Sequence, residues 1–183
     1  IRRDATRFAM EIVKPFSEEL MRAVESSALD VRHERYANGI LEDYLHARCA
    51  QYVIDPAAPR VVIASLEGSR CRARMQMAAL VSAVGGVGHR VFAGSPEPAV
   101  IGAAVRHERA DTLLVCVPAG DSSAPASIAA IRDALPRDVE LLLAGPGVEQ
   151  TVGWPDGVGG IQSYAHFADW IRHRHLTAHL AAG

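Results

Sequence analysis

Arg60-Val61-Val62-Ile63-Ala64, followed by Ser65-Leu66-Glu67-Gly68-Ser69-Arg70-Cys71-Arg72-Ala73-Arg74, is the stretch that decides the fold. The first five residues form a short apolar run and read as a strand. The residues after them read as a loop that opens a helix over 70–84. The same alternation continues downstream. Strands are expected at 61–64, 90–93, 112–117, 140–144 and 159–161. Helices are expected near 97–109, 123–135, 147–151 and 163–176. The strands are nearly continuous apolar runs, as required when helices cover both faces of a sheet. Five such units predict a doubly wound, flavodoxin-like α/β fold with a five-stranded parallel sheet in the order 2-1-3-4-5. Ligands of such sheets sit beyond the carboxyl ends of the strands, near the switch between the first and third. Here that end comprises the loops at 66–71, 117–121 and 144–148.

Upstream, residues 4–53 read as helices. Phe8, Ile12, Phe16 and Leu20 recur at helical spacing, and Pro15 inside that pattern predicts a kink or a break near Lys14. Asp30 is placed to cap a second helix, with His33 at its third position. Tyr36, Ile40, Leu41, Tyr44 and Leu45 give that helix one apolar face. Ile54-Asp55-Pro56-Ala57-Ala58-Pro59 then ends the helix and reads as a linker. The expected organisation is a helical cap over 1–53, a linker over 54–59 and an α/β domain over 60–183.

The 183 residues suffice for one ordinary domain and a small appendage, and 49% hydrophobic content supports a sizeable core. A formal net charge of −2 gives no general attraction to nucleic acid, and 5% aromatic residues leave little for base stacking. No apolar run approaches the length of a membrane span. Three cysteines, Cys49, Cys71 and Cys116, are too far apart for a zinc or CxxC motif, and this fits a reducing cytoplasm. No signal peptide is expected. It begins at Ile1 and is expected to be a piece of a longer one.

Two stretches together resemble a family. The first strand and its loop are similar to the opening βα turn of cobalamin-binding domains, where Glu/Asp-x-His-x-x-Gly supplies the histidine that ligates cobalt. On that pattern Ser69 falls on the acid, Cys71 on the histidine and Arg74 on the glycine. The region from Pro15 to Gly39 aligns without a gap on the helical cap of CarH/LitR-type light-sensing regulators of the MerR class. That cap carries Trp, nine residues, and then Glu-His. Val24 falls on the Trp, Glu34 keeps the Glu, and Arg35 replaces the His. Val115-Cys116-Val117 stands where the family often has Ser-x-Leu, and Ala144-Gly145 where it often has Gly-Gly. The resemblance implies a photoreceptor or other sensor of transcription regulation. It also implies a tetrapyrrole held between cap and sheet, with DNA reached only through a domain absent from this chain.

The residues that depart from the family pattern each allow more than one chemistry. Cys71 is a thiolate ligand to a metal or haem, a redox- or anion-responsive thiol tuned by Arg70, Arg72 and Arg74, or an ordinary residue at a helix start. The arginines suit an anion, such as propionates or a phosphate, or simply solvent. Glu34 and Arg35 suit a ligand carboxylate or a surface pair. Cys116, Val117 and Gly145 are small or apolar. In cobalamin proteins such residues leave a slot between sheet and helix for the nucleotide tail; they also serve ordinary packing. His173, His175 and His179 read as a solvated face, and His33 and His166 as minor ligand candidates. Gly85-Gly86-Val87-Gly88 follows a helix and reads as its C-cap and loop, not a phosphate cradle. No nucleophile elbow, P-loop or HExxH is present.

The expected function is therefore a non-enzymatic sensory or regulatory module. It takes cobalamin or another tetrapyrrole, haem or biliverdin, without the usual histidine. The alternative is a cofactor-free domain that acts by protein contact, as an antirepressor or by dimerisation. A corrinoid carrier of a methyltransferase comes third, because that role depends on the missing histidine. A protein partner or homo-oligomer is expected, and no membrane.

Overall fold

A computed structural model describes residues 7–66, 72–92 and 97–181, with side chains to Arg174. Five parallel strands, β1 (Arg60–Ser65), β2 (Gly88–Val91), β3 (Thr112–Cys116), β4 (Glu140–Ala144) and β5 (Val158–Ile161), form one sheet in the order β2-β1-β3-β4-β5. This is the expected flavodoxin-like arrangement. Ser65 stands opposite Cys116, and Cys116 opposite Ala144, so the carboxyl ends of β1, β3 and β4 finish level. Strand β2 starts two residues before the expected one. The Gly88 amide bonds the Pro59 carbonyl at 2.9 Å, which sets pairing with β1 from Arg60 onward.

The helices are α1 (Lys14–Glu25), α2 (Val31–Cys49), α3 (Arg72–Val84), α4 (Pro98–Glu108), α5 (Ala124–Ala134), α6 (Gly147–Gln150) and α7 (Tyr164–Ala181). Alternating strand residues build a core on each sheet face. Val62, Ala64, Leu113, Val115, Leu141 and Leu143 pack with Ile101, Val105, Ile128 and Ile131 of α4 and α5. Val61, Ile63, Leu114, Leu142 and Ile161 pack with α3 and with Phe167 and Ile171 of α7. Helix α3 is buried at every residue from Met75 to Ala83, because the sheet covers one side and α2 the other.

Helix α3 ends as Gly85-Gly86 predicts. Gly86 has φ +78°, its N–H bonds Ala83 O, and the Val87 N–H bonds Ser82 O, which is a Schellman closure. Helices α1 and α4 close the same way with Ser27 (φ +59°) and Arg109 (φ +51°) in the glycine position.

In the cap, a π-helical turn at Ala9–Val13 runs directly into α1, with Lys14 N donating to Ala9 O, and Pro15 stands just past this switch from π to α geometry. The irregularity expected near Lys14 is present as this change of helix type, and the helix does not break there. Asp30 caps α2: its Oδ1 accepts from Arg32 N at 2.8 Å. The Arg32 side chain and amide hold its carboxyl below the ordinary range. The expected apolar faces divide between the core and the surface. The cap enters the core through Ala9, Val13, Leu45 and Cys49, and Leu20 is also buried, while Ile12, Phe16, Tyr36, Ile40 and Tyr44 are exposed. Both stripes satisfy a helical period; the smaller side chains face α3, and the large ones lie outside. Burial pushes the Cys49 thiol up to about 11, which leaves it protonated and unreactive at neutral pH.

On β2, His89 is held below its ordinary value, first by burial, with the charge of His46 on α2 adding to it. The neutral ring is favoured in the folded state, so the unfolded chain binds more protons once pH falls below about 6.5. Acidification from neutrality should lower the urea midpoint, and His89→Gln should flatten that slope. A slope unchanged by the substitution would remove His89 as its source.

Candidate functional site

The level ends of β1, β3 and β4 leave room because their last residues are small. Cys116 and Ala144 close their strands, and Gly145 turns the chain away at φ +107°. A Cβ on Gly145 would lie 2.5 Å from Val117 O and 3.3 Å from Cys116 Sγ, so no other residue fits that turn unchanged. Val117 N donates to Ala144 O at 2.7 Å, and Gly147 N to Val117 O at 3.2 Å, which ties the β3 and β4 ends together.

Between these ends and the helices lies a cavity of about 320 Å³. Its floor is Ile63, Leu114, Cys116 and Ile161 of the sheet. Its walls are Met75 and Ala78 of α3, and Tyr164 and Phe167 of α7. Tyr164 Oη donates to Arg74 O at 3.2 Å, which joins the two walls. The roof is the cap, through Lys14, Ser17 and Glu18 of α1. The lining is therefore apolar at depth and polar at the mouth, the usual make-up of a small-molecule site.

The mouth carries balanced charge. Lys14 Nζ pairs with Glu18 Oε1 at 3.2 Å, and Arg74 and Glu149 complete the rim. Two groups there are under-satisfied. Among the described residues, the side-chain partner of Arg74 is the thioether of Met21, 3.6 Å from its Nη2, a weak acceptor for a group with five N–H donors. Ser17 Oγ is buried and has no hydrogen-bond partner among the described residues. Buried polar atoms are normally paired, so Ser17 Oγ marks where a ligand's polar group would be welcome, while half-buried Arg74 offers its charge at the rim.

Of the residues singled out from the sequence, Cys116 and Gly145 line this cavity. Val117 is buried on the opposite sheet face, against the α4 and α5 side. Val24 is half-buried on α1 and shares a helical face with Ser17 and Met21. Glu34 is buried on α2, while its neighbour Arg35 is exposed, as the 100° step between adjacent helical positions requires. The two therefore cannot act as one pair toward a single ligand group. Ser69, Arg70 and Cys71 lie outside the described residues. Arg72 reaches back to the cap, with Nη1 3.4 Å from Glu42 Oε2. His33 and His166 are exposed; His166 Nδ1 accepts from Gln162 N at 3.4 Å. Among the described residues no three His, Cys, Asp or Glu side chains converge as a metal site.

Lys14, Ser17, Glu18, Tyr164 and Phe167 were not evident as site residues from the sequence. The signal for the first three was present: polar residues at i, i+3 and i+4, continued by Met21 at i+7, on a helix that also carries an apolar stripe. A second groove, of about 590 Å³, lies at the amino ends of the strands, between 56–60 and 107–111. It is open and polar. Glu108 there has Arg60, Arg90 and His107 each 3.7 Å away, so its charges are met internally. The carboxyl-end cavity is the candidate, on position and on lining.

No protein-family model matches the chain, and no curated protein matches it. No described helix is long and apolar enough to cross a membrane.

Proposed function

We propose that this chain is a sensory or regulatory module that binds cobalamin or another tetrapyrrole between its helical cap and its α/β sheet, without the usual histidine ligation. The observation that carries this reading is the cavity roofed by α1 at the carboxyl ends of β1, β3, β4 and β5. It is apolar at depth, and small residues edge it. That form suits a flat heteroaromatic arm, such as the nucleotide tail of cobalamin, with the macrocycle resting at the mouth. Arg74 would meet a peripheral carboxylate or phosphate, and Ser17 an amide. When bound, the cobalt of cobalamin, the iron of haem or the conjugated system of a bilin would supply the response to light or redox state. By the resemblance alone, Cys71 falls on the residue that would supply a ligand to the metal.

The full chain should be mixed separately with hydroxocobalamin, haemin and biliverdin, freed of unbound ligand by gel filtration, and examined by visible absorption. One of the three is expected to be retained in equimolar amount with a shifted spectrum. A Cys71→Ala variant then separates ligation from peripheral holding: a changed spectrum assigns the thiolate to the metal, and an unchanged one removes it. Retention of none would leave the cofactor-free reading, a domain acting by protein contact.

A further inference from the structure

The outer side of the cap carries a surface that the cavity does not use. Phe8, Ile12 and Phe16 recur at every fourth residue on the first helical stretch, and Tyr36, Ile40 and Tyr44 do so on α2. The two helical segments form a hairpin with a short connection, and the Phe8 and Tyr44 rings, 5.5 Å apart, join the stripes at one end. Each stripe reads aromatic, isoleucine, aromatic. Exposure is 56% for Ile12, 48% for Phe16, 74% for Tyr36, 54% for Ile40 and 44% for Tyr44. A patch of this kind exceeds the scattered apolar exposure normal on a surface.

We infer that this face is an interface between two copies of the chain, packed cap to cap as a four-helix arrangement. Three observations favour a second copy. The first is area. With aromatic side chains presenting ~150–250 Å² each, the exposed fractions leave roughly 550 Å² open per copy. Two copies face to face then remove about 1,100 Å², near the lower bound for a specific interface. The second is charge. Arg7 with Glu11 and Glu19 with Arg22 pair within the same helical stretch, so their charges are met internally and do not repel an identical face. The third is Gly39. It sits in the middle of α2, where glycine weakens a helix, and a Cβ there would meet nothing within 4 Å in this chain. No described residue of the same chain comes close enough to require a glycine at that place; close approach of a partner helix does.

Sedimentation equilibrium of the full chain tests this. A dimer is expected at micromolar concentration. Ile40→Glu places a charge in the centre of the face and should raise the dissociation constant by at least about 100-fold. Ile40 is solvent-facing in the monomer, so the variant should keep its far-UV circular dichroism. Gly39→Leu, which should favour the helix of an isolated monomer, is expected to weaken the dimer as well. A wild-type chain that stays monomeric at 100-fold higher concentration would overturn the inference and leave the face to a different helical partner. A dimer indifferent to both substitutions would overturn it too, and would place the contact elsewhere.

Discussion

Phe167→Ala is expected to destabilise the fold by about 4 kcal/mol, the usual cost of emptying a buried phenylalanine site. Phe167 is fully buried on α7, where it packs against the Ile63, Leu114 and Ile161 side of the sheet. Its ring stacks on Trp170, with centroids 5.9 Å apart. Trp170 is fixed in turn by its Nε1 bond to Glu140 at 3.2 Å. The surroundings cannot collapse onto the lost ring, because α3 on the neighbouring side is already packed between sheet and cap. For a chain of this size the thermal midpoint should fall by roughly 10 °C. Thermal and urea unfolding of the variant measure it. A loss near 1 kcal/mol would mean that α7 is not the wall that the packing describes. Because Phe167 also lines the cavity, the same variant should lose ligand at temperatures where it is still folded.

Gly145→Val should be more damaging relative to its size. The residue has φ +107°, which a β-branched side chain strongly disfavours. Its Cβ would also lie 2.5 Å from the Val117 carbonyl oxygen, a backbone atom that the sheet holds in place. Strain of ~1–3 kcal/mol from the backbone alone, with the clash added, predicts a total of about 4 kcal/mol or failure to fold. Gly145→Ala should show the backbone strain and part of the clash. The urea midpoint reads both. A valine variant within 1 kcal/mol of wild type would contradict the turn geometry, and with it the tie between β3 and β4 that shapes the cavity mouth.

The α/β half was legible because its strands are continuous apolar runs and its turns carry distinctive residues. Val61 to Ala64 could not be a surface helix, and Gly85-Gly86 marked a helix end that closes as expected. The position of the candidate site followed from topology alone, since parallel strands deliver their carboxyl ends to one edge. The cap was read less well. Periodicity showed that Phe8, Ile12 and Phe16 share a face but not which way that face turns. The inner position is taken by Ala9 and Val13, which join the core, while Ile12 and Phe16 stay exposed. The side that meets the cavity is the polar one, Lys14, Ser17 and Glu18, because a ligand site and not a core lies beneath it. Glu34 and Arg35 were treated as a pair because they are adjacent in sequence, but adjacency on a helix separates side chains.

Equilibrium binding of the retained tetrapyrrole to cavity-filled variants tests the central claim most directly. Ala78→Phe adds a ring to the cavity wall from α3, and Ser17→Trp blocks the mouth from the half-buried cap position. Both should keep the far-UV circular dichroism of the parent chain. Each is expected to weaken binding by about 100-fold or more, since the space for the inserted arm is gone. Affinity unchanged in both variants would show that the ligand does not enter the space between sheet and cap, and would contradict the account.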